Sequence, residues 1–372
     1  GQLGKMLIQE ASKWNIATFI LDNEKDCPAA GVASEYIQGD PLSFESVYDF
    51  GKKVDILTFE LENINVEALF KLKSEGLKII PEPEILTLIQ DKGLQKKFFA
   101  SHNIPTTSYS LFISENEMYE AVRKRKLEFP FVQKLCRGGY DGKGVAVIRD
   151  ENDLQKLLHG PSVVEELVHI SKEVAVIVAR NENGKVKSFP VVEMVFDGQA
   201  NLVEKLICPS QISTEDSARA TQIAEHIISE LNMTGLLAVE FFIDRSGRIL
   251  VNEVAPRPHN SGHHTIDSVV TSQYEQHLRA ILNLPLGSTM IKMPSVMINL
   301  LGEVGYEGPV LYEGLTESME TEGLKIHLYG KKETKPYRKM GHVTIVAHTL
   351  EEAIEKSEKV KNIIKVKSWN KN

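Results

Sequence analysis

Apolar and polar positions along this chain switch between a helical and a strand period, and the switches mark its parts. Leu3, Met6, Leu7 and Ala11 share one helical face directly after Gly1-Gln2-Leu3-Gly4. Apolar runs at 16–22, 54–59 and 77–80 read as strands, with a helix over 65–75 before the last of them. That alternation is βαβ wiring with a parallel sheet. A new unit opens near Asp91 with a helix over 92–102 and another begun by the capping box Ser114-Glu115-Asn116-Glu117. Strand 131–136, a glycine loop, strand 145–148, helix 151–158 and strand 162–166 follow. Strands 172–180 and 186–196 and helix 215–231 lead to a pair of strands at 236–243 and 249–255. Between Pro285 and Pro294 the composition breaks. Beyond it stand strands near 295–300 and 342–347 and a helix opened by Thr349-Leu350-Glu351-Glu352. The pattern predicts an α/β and α+β multidomain protein divided at 1–90, 91–290 and 291–372, with a flap subdomain at about 104–168 and a small β-rich tail.

The last strand pair of the middle unit carries the most chemistry. Its turn is expected between Ser246 and Gly247, a register that sets Glu240 opposite Glu253 on one face. Their Cβ atoms would lie roughly 5 Å apart. Like charges so placed ask for a cation, and Mg²⁺ shares carboxylate oxygens with substrate phosphates. A solvent-facing pair that tolerates its neighbour is the alternative. The run from Asn252 to His264 then packs Glu253, Arg257, His259, Asn260, Ser261 and His263 into one segment. Pro256 and Pro258 exclude a helix or central strand there, and without a helix His259 and His263 do not form a zinc pair. Arg257 suits a bidentate oxyanion contact, and the amides of Ser261 and Gly262 suit an anion.

Gly138-Gly139-Tyr140-Asp141-Gly142-Lys143-Gly144 places four glycines between two strands, where backbone amides can approach phosphate. Lys134 lies just upstream. No Ser or Thr follows Lys143 and a strand comes next, so this is not a Walker loop; a bare hairpin tip is the alternative. Val164-Glu165-Glu166-Leu167-Val168, with Glu173 beyond, reads as two strands and a connector able to meet an adenine edge and ribose hydroxyls. Asp22 could accept a ribose hydroxyl or simply end a strand.

Composition narrows the partners. The 372 residues are 42% hydrophobic and 25% charged with net charge -8, too long for one core. The only basic block is Arg123-Lys124-Arg125-Lys126, so nucleic acid is not an expected partner. Cys27, Cys136 and Cys208 show no metal spacing and read as reduced. No apolar stretch approaches the roughly 20 residues that span a membrane, so a cytoplasmic protein is expected. The start, a glycine turn into a helix with no strand before it, is expected to lack several upstream residues.

Together these pieces resemble the ATP-grasp superfamily. The ordered set G-Q-L-G-K-M, T-F-E-L-E-N at 58–63, G-G-Y-D-G-K-G, N-E-V-A-P-R-P-H-N-S-G-H and Arg338-Lys339-Met340-Gly341-His342 is similar to that of the 5-(carboxyamino)imidazole ribonucleotide synthases. The likeness spans nearly the whole chain. It implies an N-terminal Rossmann-like (pre-ATP-grasp) domain, the ATP-grasp fold, a small C-terminal domain, and a homodimer. The implied reaction is ATP-dependent carboxylation of 5-aminoimidazole ribonucleotide with bicarbonate, through carboxyphosphate, in purine synthesis.

By position, the resemblance gives ATP phosphates to Lys92, Lys134, Gly139, Tyr140, Asp141, Gly142, Lys143 and Gly144. It gives adenine to Glu165, Glu166, Leu167 and Val168, ribose to Glu173, and Mg²⁺ to Glu240 and Glu253, with Asn252 beside them on ATP. Gln2, Leu3, Glu60, Tyr140, Asp141, Asn260, Ser261, Lys331 and Arg338 would bind the imidazole nucleotide. Arg257, His259 and Lys331 would serve bicarbonate and catalysis. Lys92 replaces the arginine common in relatives, and Phe196 stands where many have a nucleotide-facing histidine. The rivals are a formate-dependent glycinamide ribonucleotide transformylase-like or biotin carboxylase-like ligase, and a non-catalytic ATP sensor. A dehydrogenase read from the first domain leaves the rest of the chain unexplained.

Overall fold

The computed structural model describes residues 1–139, 144–198 and 202–369. The N-terminal part alternates helix and strand: α1 (Gln2–Ser12), β1 (Phe19–Asp22), β2 (Glu35–Gln38), α2 (Phe44–Gly51), β3 (Ile56–Leu57), α3 (Val66–Ser74), β4 (Lys78–Ile79) and α4 (Pro83–Ile89), of which β2, α2 and α4 were not predicted. β1 pairs β2 and β3 pairs β4, both in parallel. Val47, Leu57, Leu69, Leu72 and Leu86 fill the core between them. β3 is shorter than the apolar run 54–59, since it pairs β4 only at Ile56–Lys78 and Leu57–Ile79; beyond it the Glu60 carboxylate accepts from the Gly4 amide of α1 at 2.5 Å.

Asp91 caps α5 (Lys92–Ser101) by accepting from the Gly93 and Leu94 amides. The next unit holds β5 (Tyr109–Phe112), α6 (Glu115–Arg123), β6 (Phe131–Leu135), β7 (Val145–Ile148) and β8 (Ser162–Glu166), a four-stranded sheet ordered β5-β8-β6-β7. Residues 151–158, expected as an α-helix, form only a 3₁₀ segment, Glu151–Lys156. Leu157 turns extended at φ -57°, ψ 136° and ends it.

The central unit adds β9 (Ile170–Arg180), β10 (Val186–Ser188), β11 (Val192–Phe196), β12 (Val203–Cys208), α7 (Thr214–Glu230), β13 (Gly235–Asp244), β14 (Ile249–Ala255), α8 (Thr265–Ser268) and α9 (Gln273–Ile281). The single strand expected over 186–196 is two, since Pro190 has no N–H to give the ladder. β12 was not predicted; Glu204 and Lys205 sit together in it and blur the alternation. α7 lays Ala220, Ala224, Ile227 and Ile228 across Val174, Val176, Val178 and Val239 of the sheet.

The tail supplies β15 (Ser295–Leu301), β16 (Gly308–Glu313), α10 (Leu315–Ser318), β17 (Leu324–Leu328), β18 (Glu333–Thr334), β19 (Lys339–Val346), α11 (Leu350–Ile363) and β20 (Lys365–Ser368). β15 pairs antiparallel with β12, so one sheet runs β14-β13-β9-β11-β12-β15-β19-β17, nine strands with β10 on β9. The composition break at 285–294 is therefore not a break in the sheet. Among the described residues, no helix is long and apolar enough to cross a membrane. The three cysteines are free thiols.

Candidate active site

Glu240 and Glu253 are opposite one another on β13 and β14, as the sequence predicts, but by a different route. Near the turn the pairs are Ile243–Ile249, Phe242–Leu250 and Phe241–Val251. That register, carried on unchanged, would oppose Glu240 to Asn252. Asn252 is instead the extra residue of a β-bulge, which shifts the ladder by one and brings Glu253 into place. The Asn252 amide oxygen receives Lys134 Nζ at 2.8 Å, and Glu253 Oε2 receives Lys92 Nζ at 2.6 Å.

The two carboxylates titrate apart. Burial raises the Glu240 carboxyl, and the charges of Glu253 and Glu173 add to it. Lys92 holds Glu253 below the usual range. Glu173, diagonal to Glu240 across β9 and β13, is pushed up to about 7 by burial. Among the described residues no three or more His, Cys, Asp or Glu side chains converge as a metal cage.

Across from them, Glu165 of β8 is 3% exposed and takes one ammonium on each oxygen: Lys96 at 2.7 Å and Lys134 at 2.8 Å. Burial alone would raise Glu165; Lys134 and Lys96 together keep it below its usual value. Its side chain is thus committed to the lysines, while its backbone pairs β5 and β6. Glu166 turns toward Arg248 at 3.5 Å, and Leu167 and Val168 follow half-buried. Lys96 escaped the sequence reading. The signal was its i,i+4 spacing from Lys92, which sets both on one face of α5. Lys92, Lys96, Lys134, Glu165, Asn252 and Glu253 line a cavity of about 10 Å³, one water in size. The glycine loop leaves from β6: Gly144 has φ 76°, and a Cβ there would stand 3.1 Å from the Gly139 Cα. Tyr140, Asp141, Gly142 and Lys143 lie outside the described residues.

In the proline-rich loop, Arg257 meets Glu62 at 3.0 Å and donates to the Pro258 carbonyl at 3.1 Å. Its Nε is buried without a partner, and so is Asn260 Oδ1. Glu62, raised by burial, lies in the 58–63 motif but had no role from sequence. The Ser261 amide donates to His259 Nδ1 at 3.3 Å, so Nε2 carries the proton, 3.4 Å from Glu240 Oε1. Burial, with Arg257 and Lys339 nearby, draws His259 down to about 3. The amides of Ser261 and Gly262 were expected to receive an anion. They are instead spent within the loop, the Gly262 amide on the His259 carbonyl at 3.0 Å. A Cβ on Gly262 would lie 2.3 Å from Ile177 Cδ1 and 2.5 Å from the Gln273 side-chain amide, so any larger residue would have to push both aside.

Gln2 and Leu3 open α1, where the Glu60 carboxylate sits. Lys5 of the same helix donates to the carbonyls of Leu328 and Tyr329 at 3.0 and 3.1 Å, joining α1 to the hairpin that carries Lys331 and Arg338. Lys331 donates to the Lys339 carbonyl at 2.7 Å; burial, with Arg338 and Lys339, lowers its ammonium to about 8. Arg338 donates to the Glu333 carbonyl at 2.8 Å. Phe196 ends β11, partly buried against Met194 and Leu206.

The proline-rich loop and this hairpin are joined by a column of rings. His263 stacks on His342 at 4.6 Å, and His342 on His327 at 4.5 Å. Tyr274 and Tyr329 hydroxyls meet His263 Nδ1 and His342 Nδ1 at 3.0 and 3.1 Å, and His327 Nε2 meets Asp267 at 2.8 Å. Burial holds His263 and His342 well below their ordinary range, so both rings are neutral.

Opposed carboxylates on one sheet, a lysine strand and glycine loop on a second, and a lysine-bearing helix between them define an ATP-grasp ligase. The ATP-grasp domain pattern matches residues 97–274, the ribonucleotide synthetase preATP-grasp domain residues 1–90, and the phosphoribosylaminoimidazole carboxylase C-terminal domain residues 295–356. The chain is 38% identical over 363 residues to N5-carboxyaminoimidazole ribonucleotide synthase of Bacillus subtilis, covering 95% of this chain and 92% of that protein. It superposes on the Thermotoga maritima synthetase with TM-score 0.90 at 45% identity, covering 98% and 97% of the two chains. The Aspergillus clavatus synthase, solved with ADP and 5-aminoimidazole ribonucleotide, matches with TM-score 0.88 at 29% identity over 97% and 96%. The chain belongs to the N5-carboxyaminoimidazole ribonucleotide synthase family of ATP-dependent ligases, as its motifs imply.

Proposed function

We propose that this protein couples ATP cleavage to carboxylation of 5-aminoimidazole ribonucleotide by bicarbonate. Carboxyphosphate is the activated carbon, and ADP, phosphate and the N-carboxylated nucleotide are the products. One observation carries the reading: Glu240 faces Glu253 on one side and His259 Nε2, at 3.4 Å, on the other. The residue pair suited to a phosphate-bound cation is thereby joined to the loop suited to carbonate.

The donor set fits Mg²⁺: two opposed carboxylates, one already holding an ammonium, with the remaining positions left for phosphate oxygens. Bound there, Mg²⁺ would neutralise phosphate charge during transfer. Lys92, Lys134 and the glycine loop from Gly139 to Gly144 hold the phosphates; Glu165 to Val168 border adenine through their backbone, and Glu173 takes ribose. Arg257, with its Nε free to donate, and the proton on His259 Nε2 orient bicarbonate. Gln2, Leu3, Glu60, Asn260, Ser261, Lys331, Arg338 and the Tyr140-Asp141 pair receive the imidazole nucleotide. Carboxyphosphate is short-lived in water, so holding the reactants together and excluding solvent is the protein's main contribution. Family membership makes a cytoplasmic homodimer the expected state.

The test is phosphate release from MgATP and bicarbonate with and without 5-aminoimidazole ribonucleotide, alongside labelled carbonate incorporation. Release that depends on the imidazole nucleotide, matched by incorporated label, is the expected result. Hydrolysis indifferent to that nucleotide would leave the ligase and remove its substrate. ATP binding with no turnover would point to a sensor.

A further inference from the structure

Lys134 is the lysine that the proposed function gives to the ATP phosphates, yet here its ammonium is held twice, by Glu165 Oε2 at 2.8 Å and by Asn252 Oδ1 at 2.8 Å. To reach a phosphate it must loosen its hold on a carboxylate that is 3% exposed. A buried carboxylate stripped of its only cation is strongly unfavourable. Glu165 is not stripped, because Lys96 stands on its other oxygen at 2.7 Å.

Lys96 itself has nowhere to go. Its side chain is 4% exposed, and its ammonium also donates to Thr106 Oγ1 at 2.6 Å and Thr107 Oγ1 at 2.8 Å. Thr106 in turn donates to the Val251 carbonyl on the metal-side strand at 2.7 Å, which fixes the cradle against β14. Burial lowers Lys96 to about 8, so it is still largely charged at neutral pH.

We infer that Lys96 is a fixed counter-charge whose task is to release Lys134: by neutralising Glu165 permanently, it lets the second lysine exchange carboxylate for phosphate. Lys96 touches no phosphate itself; it is a positioning residue, and the inference rests on the nucleotide reading of Lys134. The charges make it specific. Two lysines and one glutamate leave the cluster with one net positive charge to offer a polyanion. Lys96→Met leaves none and binds Lys134 to Glu165 as an exclusive pair. Adding Glu165→Gln restores the positive charge and removes the competitor.

Calorimetric MgATP binding to the full chain tests this without requiring turnover. Wild type must bind MgATP; if it does not, the nucleotide reading falls, and this inference with it. Given wild-type binding, Lys96→Met should raise Kd by about tenfold or more, and Lys96→Met/Glu165→Gln should return it to within about threefold of wild type. A lysine needed only for packing would not be rescued by removing its partner. Undiminished affinity in folded Lys96→Met overturns the inference, and so does a double variant as weak as the single one. If Lys96→Met fails to fold, the double variant decides alone: near-wild-type affinity supports the exchange, and weak binding in a folded protein ends it.

Discussion

The two sides of the active site are built from opposite materials. On the nucleotide side, Lys92, Lys96 and Lys134 are balanced against Glu253 and Glu165 at 2.6–2.8 Å, charge against charge. On the loop side, His263, His342 and His327 are stacked at 4.5–4.6 Å, with tyrosine hydroxyls on two of the rings. Ion pairs can exchange partners when a polyanion arrives, whereas stacked and hydrogen-bonded rings are held by their packing. Under the proposed reaction, the first would suit a surface that hands its cations to ATP. The second would suit a frame that keeps Arg257 and His259 in register with Lys331.

That contrast breaks most sharply at Glu253. Glu253→Gln should cut ATP turnover by about a thousandfold while the melting temperature stays near that of wild type; near-normal phosphate release from the folded variant would remove the metal assignment. Arg257→Ala acts on the other side. Carboxylation should fall roughly a hundredfold with the MgATP dissociation constant unchanged, read by labelled carbonate incorporation beside calorimetry. A parallel loss of ATP affinity would show the two sides to be one electrostatic unit.

A change inside the ring column should be milder. His342→Phe keeps an aromatic slab but deserts the Tyr329 hydroxyl, a cost of about 1–3 kcal/mol in stability. It should weaken use of the imidazole nucleotide and leave MgATP affinity alone. Equal damage to both substrates would show that the column is not specific to its side. The smallest effect is expected from pH. Lys331 is charged below about 8 and loses its proton as pH rises through that value. Attraction for a nucleotide phosphate is therefore present at pH 7 and declines toward pH 9, and KM for the imidazole nucleotide should climb several-fold over that span. Lys331→Arg, charged throughout, should flatten the rise; an equal rise in that variant would place the titrating group elsewhere.

How much of this could be read from the chain depended on range. The capped helices α3 and α5 and the strands of β13 and β14 announce themselves through local pattern, with Asn65 and Asp91 accepting the amides expected of caps. The glutamate pairing was legible for the wrong reason: the turn register is one residue out, and the bulge at Asn252 corrects it. Glu62 and the histidine column were not legible, and Lys96 was legible only as a second lysine on the Lys92 face of α5, not as the partner of Glu165. Each takes its meaning from partners far along the chain, such as Glu165 for Lys96, Arg257 for Glu62 and His342 for His263. No spacing rule joins such positions. Glu165 was read as a hinge because its strand and connector are visible locally, while the two lysines on its carboxylate are not.

The unbroken ladder from β14 to β17 also has a mechanical consequence. The opposed glutamates and the Lys331–Arg338 hairpin hang on strands of one sheet, so separating them would mean tearing hydrogen-bonded rungs. The four-stranded sheet shares no strand with that ladder. It meets β14 through the Pro105 carbonyl, which takes the Val251 amide at 2.8 Å, and the Thr106 hydroxyl. Lys134 on Asn252 at 2.8 Å and Glu166 on Arg248 at 3.5 Å add to that seam. The small leaf is thus tied to the larger sheet by side-chain contacts that can be exchanged, where the glutamates and the hairpin are tied to each other by a ladder that cannot.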